Sequence, residues 1–419
     1  MSPSRRDFLK GAGVMLGSVF LPACGSSGGG SGPVGGSLTL FPGGYRFVPL
    51  LEVGHALPEG DGTLVGFTGG MVIHDDHEVV FSAENESGQI GMYRAIFDPN
   101  PFARNHLLQI SKIVREGDVL SDGTTVERLN RFVANRHHSV AAILETNDPT
   151  ASDPSLALQN RVYIGPEGGP LQRFIDPVTT APGGNGLLGL NFFDLDIHED
   201  DDLILVAHYT TDDIRPHQGL FFLPGGSIHS GSVLLSTAQF LPDSSGVIAG
   251  LGLCDLSGDG HFVVQTNSLT EGSDQIGASV VSGRTTDAGA LRLRSAPREV
   301  VLSRGVRAQA DFATGEAVMG PRVDSNGTVA QVLNVTNEEL ALFYGGRSLF
   351  ATSGLDESSA LQTMWPPVAS ETGLVFLLGD TQDGQKLMAS DGSVTRVYLS
   401  EGDEVEGRTL NDMIFGTMP

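Results

Sequence analysis

Six segments of the chain share one pattern, and that pattern limits the fold more than anything else in the sequence. They are IHDDHEVVFSA from Ile73, ANRHHSVAAILE from Ala134, IHEDDDLILVAH from Ile197, DLSGDGHFVVQT from Asp255, VDSNGTVAQVL from Val323 and ASETGLVFLLG from Ala369. In each, a polar and mostly acidic turn runs into a short apolar strand. The strands begin near Val79, Val140, Leu203, Phe262, Val329 and Leu374, at spacings of 61, 63, 59, 67 and 45 residues. A second strand with an aromatic or apolar pair follows each copy, as in IGMYRAIF from Ile90 and QGLFFLPGG from Gln218, and then a turn and a third strand. Ahead of the turn lies a further strand, led in three copies by Glu-Gly-Asp, at Glu59, Glu116 and Glu401. The order per unit is therefore A, acidic turn, B, C, D.

Four short antiparallel strands, repeated about six times, cannot bury their apolar faces unit by unit and must stack on their neighbours. Short Val, Ile, Leu and Phe runs between Gly, Asp, Asn and Pro clusters, without long helical periodicity, make the chain all-β. The expected fold is a β-propeller of six or seven blades. An open β-solenoid or two β-sandwiches are the alternatives. The ends argue for closure. Thr409 to Phe415 reads as a seventh A strand with no B after it, and SLTLFPGGYRFVPLLEVG from Ser37 reads as C and D with no B before them. A split blade shared by the two ends would cover strand edges otherwise left open.

The N-terminus follows different rules. SRRDFLK, from Ser4, resembles the twin-arginine export signal through Arg5, Arg6, Phe8, Leu9 and Lys10. The apolar run from Gly11 to Ala23 has the length of a signal-peptide core and falls short of the roughly 20 residues that span a bilayer. Leu21-Pro22-Ala23-Cys24 resembles the lipobox of bacterial lipoproteins, which implies cleavage before Cys24 and acylation of its new N-terminus. The following GSSGGGSGPVGG has nothing apolar to bury and serves as a tether. The expected division is a signal peptide over 1–23, lipidated Cys24 with its tether over 24–36, and a propeller over 37–419, held by lipid in the periplasm or at the cell surface. The propeller units resemble repeats of uncharacterised extracytoplasmic bacterial proteins, a resemblance that implies a fold and no chemistry.

Apolar residues make up 40% and charged residues 18% of the sequence, a globular composition. With Cys24 assigned to lipid, Cys254 has no partner for a disulfide, so the domain folds on packing alone. The net charge of −25 repels phosphate backbones and excludes nucleic acid as a partner class.

Site motifs are sparse. Asp255-Leu256-Ser257-Gly258-Asp259-Gly260 has the alternating oxygens of a calcium loop, but it coincides with the repeat's own turn, where Asp and Gly are favoured for geometry alone. His74, His77, His137, His138, His198 and His261, with Asp76 and Asp200 beside them, also fall in this turn. Equivalent turns of a propeller share one face. If A is innermost they ring the channel mouth, where imidazole and carboxylate could hold a divalent metal ion. Exposed turns that simply tolerate polar side chains are the competing explanation. Trp365 reads as a stacking platform or as packing. No nucleophile elbow, dinucleotide or phosphate loop, haem motif or zincin motif is present. Two readings of function stand: a lipid-anchored propeller that binds a protein, glycan or small ligand, and a metal-dependent lyase, hydrolase or lactonase at the channel mouth.

Overall fold

A computed structural model of the chain describes residues 14–19 and 46–410, except 76–77, 99, 101–105, 136, 138, 167, 184–185, 199, 212–215, 238, 271–275, 306–310, 337–338, 353–360, 370–374, 391–394 and 406–407. Six small antiparallel sheets follow one another along the chain and form a six-bladed β-propeller. Strands A to D are Leu64–Asp75, Glu78–Asn85, Ile90–Phe97 and Leu107–Arg115 in blade 1. In blade 2 they are Thr125–Ala134, Val140–Asn147, Leu158–Gly165 and Gln172–Ile175, and in blade 3 Leu188–Ile197, Leu203–Thr210, Pro216–Leu223 and Ser232–Ser236. Blade 4 runs through Gly246–Leu256, His261–Thr270, Ile276–Arg284 and Asp287–Ala296. Blades 5 and 6 have their A strands in two pieces, Glu316–Ala317 with Arg322–Val323 and Thr363–Met364 with Val368–Ala369.

The B strands show why so short a unit is stable only in a ring. Leu203, Leu205 and Ala207 pack with Val133, Ile143 and Val162 of blade 2, while Ile204 and Val206, on the opposite side, pack with Cys254, Leu256 and Phe262 of blade 4. Both faces of a blade are thus core, and each blade supplies half of two interfaces. The A strands of consecutive blades approach one another from blade 1 through blade 6, which makes A the innermost strand and the wall of the central channel.

The turn between A and B has one length in blades 2 to 6, where the last paired residues are Ala134 with Val140, Ile197 with Leu203, Leu256 with Phe262, Val323 with Val329 and Ala369 with Val375. In blade 1 the equivalent pair, Ile73 with Val79, is followed by a shift of register and one more pair, Asp75 with Glu78. The first turn residue caps the loop. Asn135 Oδ1 accepts from the amides of His137 and Ser139, and Asp324 Oδ1 accepts from those of Asn326 and Thr328. The fourth turn residue is left-handed at Asp201, Gly260 and Gly327, and this is a conformation in which Gly, Asn, Asp and His are enriched. The polar signature of the repeat is therefore a turn requirement.

Two details differ from the sequence reading. Glu116-Gly117-Asp118 and Glu401-Gly402-Asp403 are equivalent, since Gly117 and Gly402 donate to the carbonyls of Val126 and Leu410. The matching donor in blade 1 is Gly54, which donates to Leu64, so Glu59-Gly60-Asp61 is not the third copy of this element. It forms a short 3-10 turn, and Asp61 matches Asp122 instead, each accepting from a C-strand tyrosine, Tyr93 or Tyr163. At the termini, Val14–Val19 pairs antiparallel with Arg46–Glu52, and that strand lies beside the hairpin of Glu404–Val405 with Arg408–Thr409. Of the A strand expected over Thr409 to Phe415, residues 411–415 lie outside the described residues.

Candidate functional site

The channel wall carries its chemistry on one arc. The registers of the A–B pairing place Val72, Val133, Asp196, Asp255, Arg322 and Val368 at one height in blades 1 to 6. Two residues before these, Arg131 and Asp194 occupy one height in blades 2 and 3. Between Phe192 and Asp194 the inner strand of blade 3 has a bulge, and blade 2 has one between Leu129 and Arg131. Bulges of this kind re-aim side chains along a strand.

An inner strand has one edge without a sheet partner, so its outward amides need acceptors from elsewhere. Here carboxylates of the preceding blade supply them. Asp194 Oδ2 accepts from Cys254 N at 2.8 Å, Asp196 Oδ2 from Leu256 N at 2.7 Å and Asp255 Oδ2 from Val323 N at 2.8 Å. The other oxygens meet guanidiniums: Asp194 Oδ1 lies 2.7 Å from Arg131 Nε, and Asp255 Oδ1 lies 3.1 Å from Arg322 Nη1. Asp196 Oδ1 accepts from its neighbour's amide, Ile197 N, at 2.9 Å. A chain of polar contacts thus runs from blade 2 to blade 5, with ion pairs at its two ends and carboxylate–amide bonds between blades 3 and 4.

Three carboxylates face two guanidiniums in this chain, and the surplus negative charge sits at Asp196. Burial and the nearby Asp255 charge push its carboxyl up to about 7, against the pull of the Leu256 amide and Arg322. Burial, with Asp194 adding to it, also raises Asp255, although Arg322 and the Val323 amide oppose the shift. Burial disfavours the Arg322 cation, but Asp255, Asp196 and Asp194 together hold its pKa above the ordinary value. The free thiol of Cys254, sealed in the same interface, is pushed well up by burial and by these carboxylates, which makes it an unreactive packing group.

The histidine turns lie at the A–B end of this wall. His137 and Asp200 are exposed there. The imidazole of His198 lies over Gly258 of blade 4, where a β-carbon would stand 3.1 Å from Nε2. His261 sits against Gly327 of blade 5, and its Nε2 is 2.8 Å from Arg284 Nη2. A guanidinium only donates, so this nitrogen accepts and His261 is neutral; burial, aided by Arg284, lowers its pKa. Asn135 makes the corresponding step from blade 2 to blade 3, donating to the His198 carbonyl at 2.7 Å and to Asp201 Oδ1 at 2.8 Å. His74 lies in the A strand of blade 1, while Asp76, His77 and His138 lie outside the described residues, as do Arg5, Arg6 and Cys24. By count from the A–B pairs, the six histidines occupy four different registers of the turn rather than one. Among the described residues no group of three or more His, Cys, Asp or Glu is placed to hold a metal ion.

Sequence reasoning singled out Asp76 and Asp200 and passed over Asp194, Asp196, Asp255, Arg131 and Arg322 as site residues. The signal was the pair of acids in FFDLDI, alternating with apolar residues inside a strand. Both oxygens of Asp255, the first residue of the sequence resembling a calcium loop, are engaged by blade 5, through the Arg322 guanidinium and the Val323 amide. Trp365 packs beside Leu378 and Tyr398 in blade 6.

No family model matches the chain, and no curated protein matches it. Solved structures that resemble it include the β-propeller domain of the Trilobed protease from Pyrococcus furiosus, with 9% identity, 78% of this chain and 82% of that chain covered, and a TM-score of 0.41. Others are an acylaminoacyl peptidase from Pyrococcus horikoshii, with 11% identity, 85% and 46% coverage and a TM-score of 0.42, and the GH93 α-L-arabinofuranosidase of Fusarium graminearum, with 12% identity, 76% and 91% coverage and a TM-score of 0.37. The chain spans less than half the length of the peptidase.

Proposed function

We propose that this chain is a lipid-anchored, extracytoplasmic propeller that works by binding a protein, glycan or small ligand on a propeller face or at the channel mouth. The observation that supports this reading is the commitment of these channel groups to one another and to backbone amides. Asp194, Asp196 and Asp255 are each engaged by the amides of the next blade, and Arg131 and Arg322 close the chain of charges. Groups used in this way hold the ring together, and recognition falls to the faces. Anchoring rests on the twin-arginine and lipobox resemblances of residues 4–24. Cleavage before Cys24 would remove Val14–Val19 from the edge of Arg46–Glu52, the strand beside the Glu404–Thr409 hairpin.

Purification of the full chain from membranes with its bound partners tests the binding reading; recovery of no specific partner counts against it. Cys24→Ala should leave the protein exported and released from membranes, since the tether has no membrane affinity of its own. Elemental analysis of chelator-free protein tests the other reading, because a stoichiometric transition metal would favour a metal-dependent lyase, hydrolase or lactonase.

A further inference from the structure

The face opposite the histidine turns has a different surface. It is built from the D–A and B–C connections, and four consecutive D–A connections each present at least one large exposed apolar side chain. These are Val53 at 39%, Val119 at 69%, Val178 at 55% and Phe240 at 61% exposure. Val65, Leu187, Leu158 and Leu269, at the strand ends of the same face, are exposed as well. Scattered exposed apolar residues are ordinary on a protein surface, but one per connection on a single face is a repeated feature of the fold.

The same connections are strongly acidic. Segments 52–63, 116–124, 176–187 and 237–245 contain eight carboxylates and no Lys or Arg. Among the described residues, the B–C segments 86–89 and 148–157 add three carboxylates, Glu86, Asp148 and Asp153, and no Lys or Arg. Lys112, Arg115 and Arg173 reach this face from the D strands and pair with Asp61, Asp118, Asp122 and Asp148, which leaves a large negative excess. At the next D–A connection the apolar exposure continues with Leu302 at 72%, but the acidic excess ends, because helix α1, Arg298–Arg304, begins a segment with three arginines.

We infer that this face of blades 1–4 docks a basic polypeptide segment that carries large apolar side chains. Apolar studs give such a segment places to anchor, and the surrounding carboxylates steer and orient its cations. An anionic bilayer or a second copy of this acidic chain meets the same field with the wrong sign. The inference rests on the binding reading above and adds the chemistry of the partner.

The test uses the purified full chain and two synthetic peptides of equal charge, one alternating Leu with Lys and one with Lys and Gly. The Leu–Lys peptide should bind about tenfold or more tightly than the Lys–Gly peptide, and the preference should fall at least about tenfold in the triple variant Val119→Asn, Val178→Asn, Phe240→Asn. These sites are exposed, so the melting temperature should hold; if the triple variant does not fold, Val119→Asn alone should lose part of the preference. Equal binding of the two peptides, or an unchanged preference in the variant, overturns the inference. So does flotation with anionic vesicles, or a dimer in sedimentation, that depends on these three side chains. If wild type and triple variant recover the same specific partner from membranes, the binding reading survives and this surface is rejected.

Discussion

At one height of the channel wall, blades 3, 4 and 5 present Asp196, Asp255 and Arg322, whereas blades 1, 2 and 6 present Val72, Val133 and Val368. The backbone scaffold is the same and the solutions differ. On the charged arc, a carboxylate reaches across the seam to the inner-strand amide of the next blade. Between blades 2 and 3, where Val133 offers no acceptor, the seam is joined one turn higher by Asn135 and two residues lower by Arg131 with Asp194. A propeller seam can thus be closed by polar ties or by apolar packing with contacts between turns. The polar version carries charges that must all be satisfied together.

The largest effect on this comparison should come from Asp194→Ala. It strips the half-buried Arg131 of its fully buried counter-ion and the Cys254 amide of its acceptor, and a loss of about 3 kcal/mol in chemical unfolding is expected. A loss under about 1 kcal/mol would mean that water replaces the tie. Converting the charged height to its apolar counterpart, with Asp196→Val, Asp255→Val and Arg322→Val together, should cost less than the single Asp194 change. Buried charge networks replaced as a set by apolar residues are often neutral in stability.

The charged arc should also separate by pH from the opposite face of the ring. Asp196, raised to about 7 in the folded state, binds its proton more tightly there than in the unfolded chain. Stability from this group is therefore greatest in acid and falls as pH rises from about 4 to about 7. Asp148 of blade 2, held down to about 2 foremost by the Thr150 hydroxyl and also by Arg173, has the opposite sign: its contribution is present above about pH 4 and is lost as pH falls toward 2. Urea titrations of the wild type and Asp196→Val at several pH values should show the first slope reduced in the variant, with the share of the raised Asp255 left, and the second unchanged.

The smallest effects belong to the turns. Asn135→Ala removes two turn hydrogen bonds and the reach to blade 3, and should cost about 1 kcal/mol. His137→Ala, at an exposed position, should stay within about 0.5 kcal/mol.

The repeat was legible because its turn demands a capping residue, a left-handed residue and a fixed length, which Asn135, Gly260 and Gly327 satisfy in plain view of the sequence. The same demand collected histidines in these turns and made them resemble a ligand set. Their different registers only emerge once Ile197 is paired with Leu203 and Leu256 with Phe262. The charged arc was illegible for another reason. Asp196 meets Leu256 and Asp255 meets Arg322 across 60 and 67 residues of chain, and nothing local marks either acid as an interblade acceptor. The Glu59 turn misled by composition, since Glu-Gly-Asp recurs there in a different conformation.

The central claim is that channel carboxylates serve as acceptors for the next blade's inner strand. Amide hydrogen exchange at Leu256 and Val323 tests it most directly, in the wild type and in Asp255→Val. Both amides should be protected in the wild type, and in the variant Val323 alone should exchange faster, with Leu256 still held by Asp196. A Val323 amide that is unprotected in the wild type, or equally protected in the variant, would contradict the account.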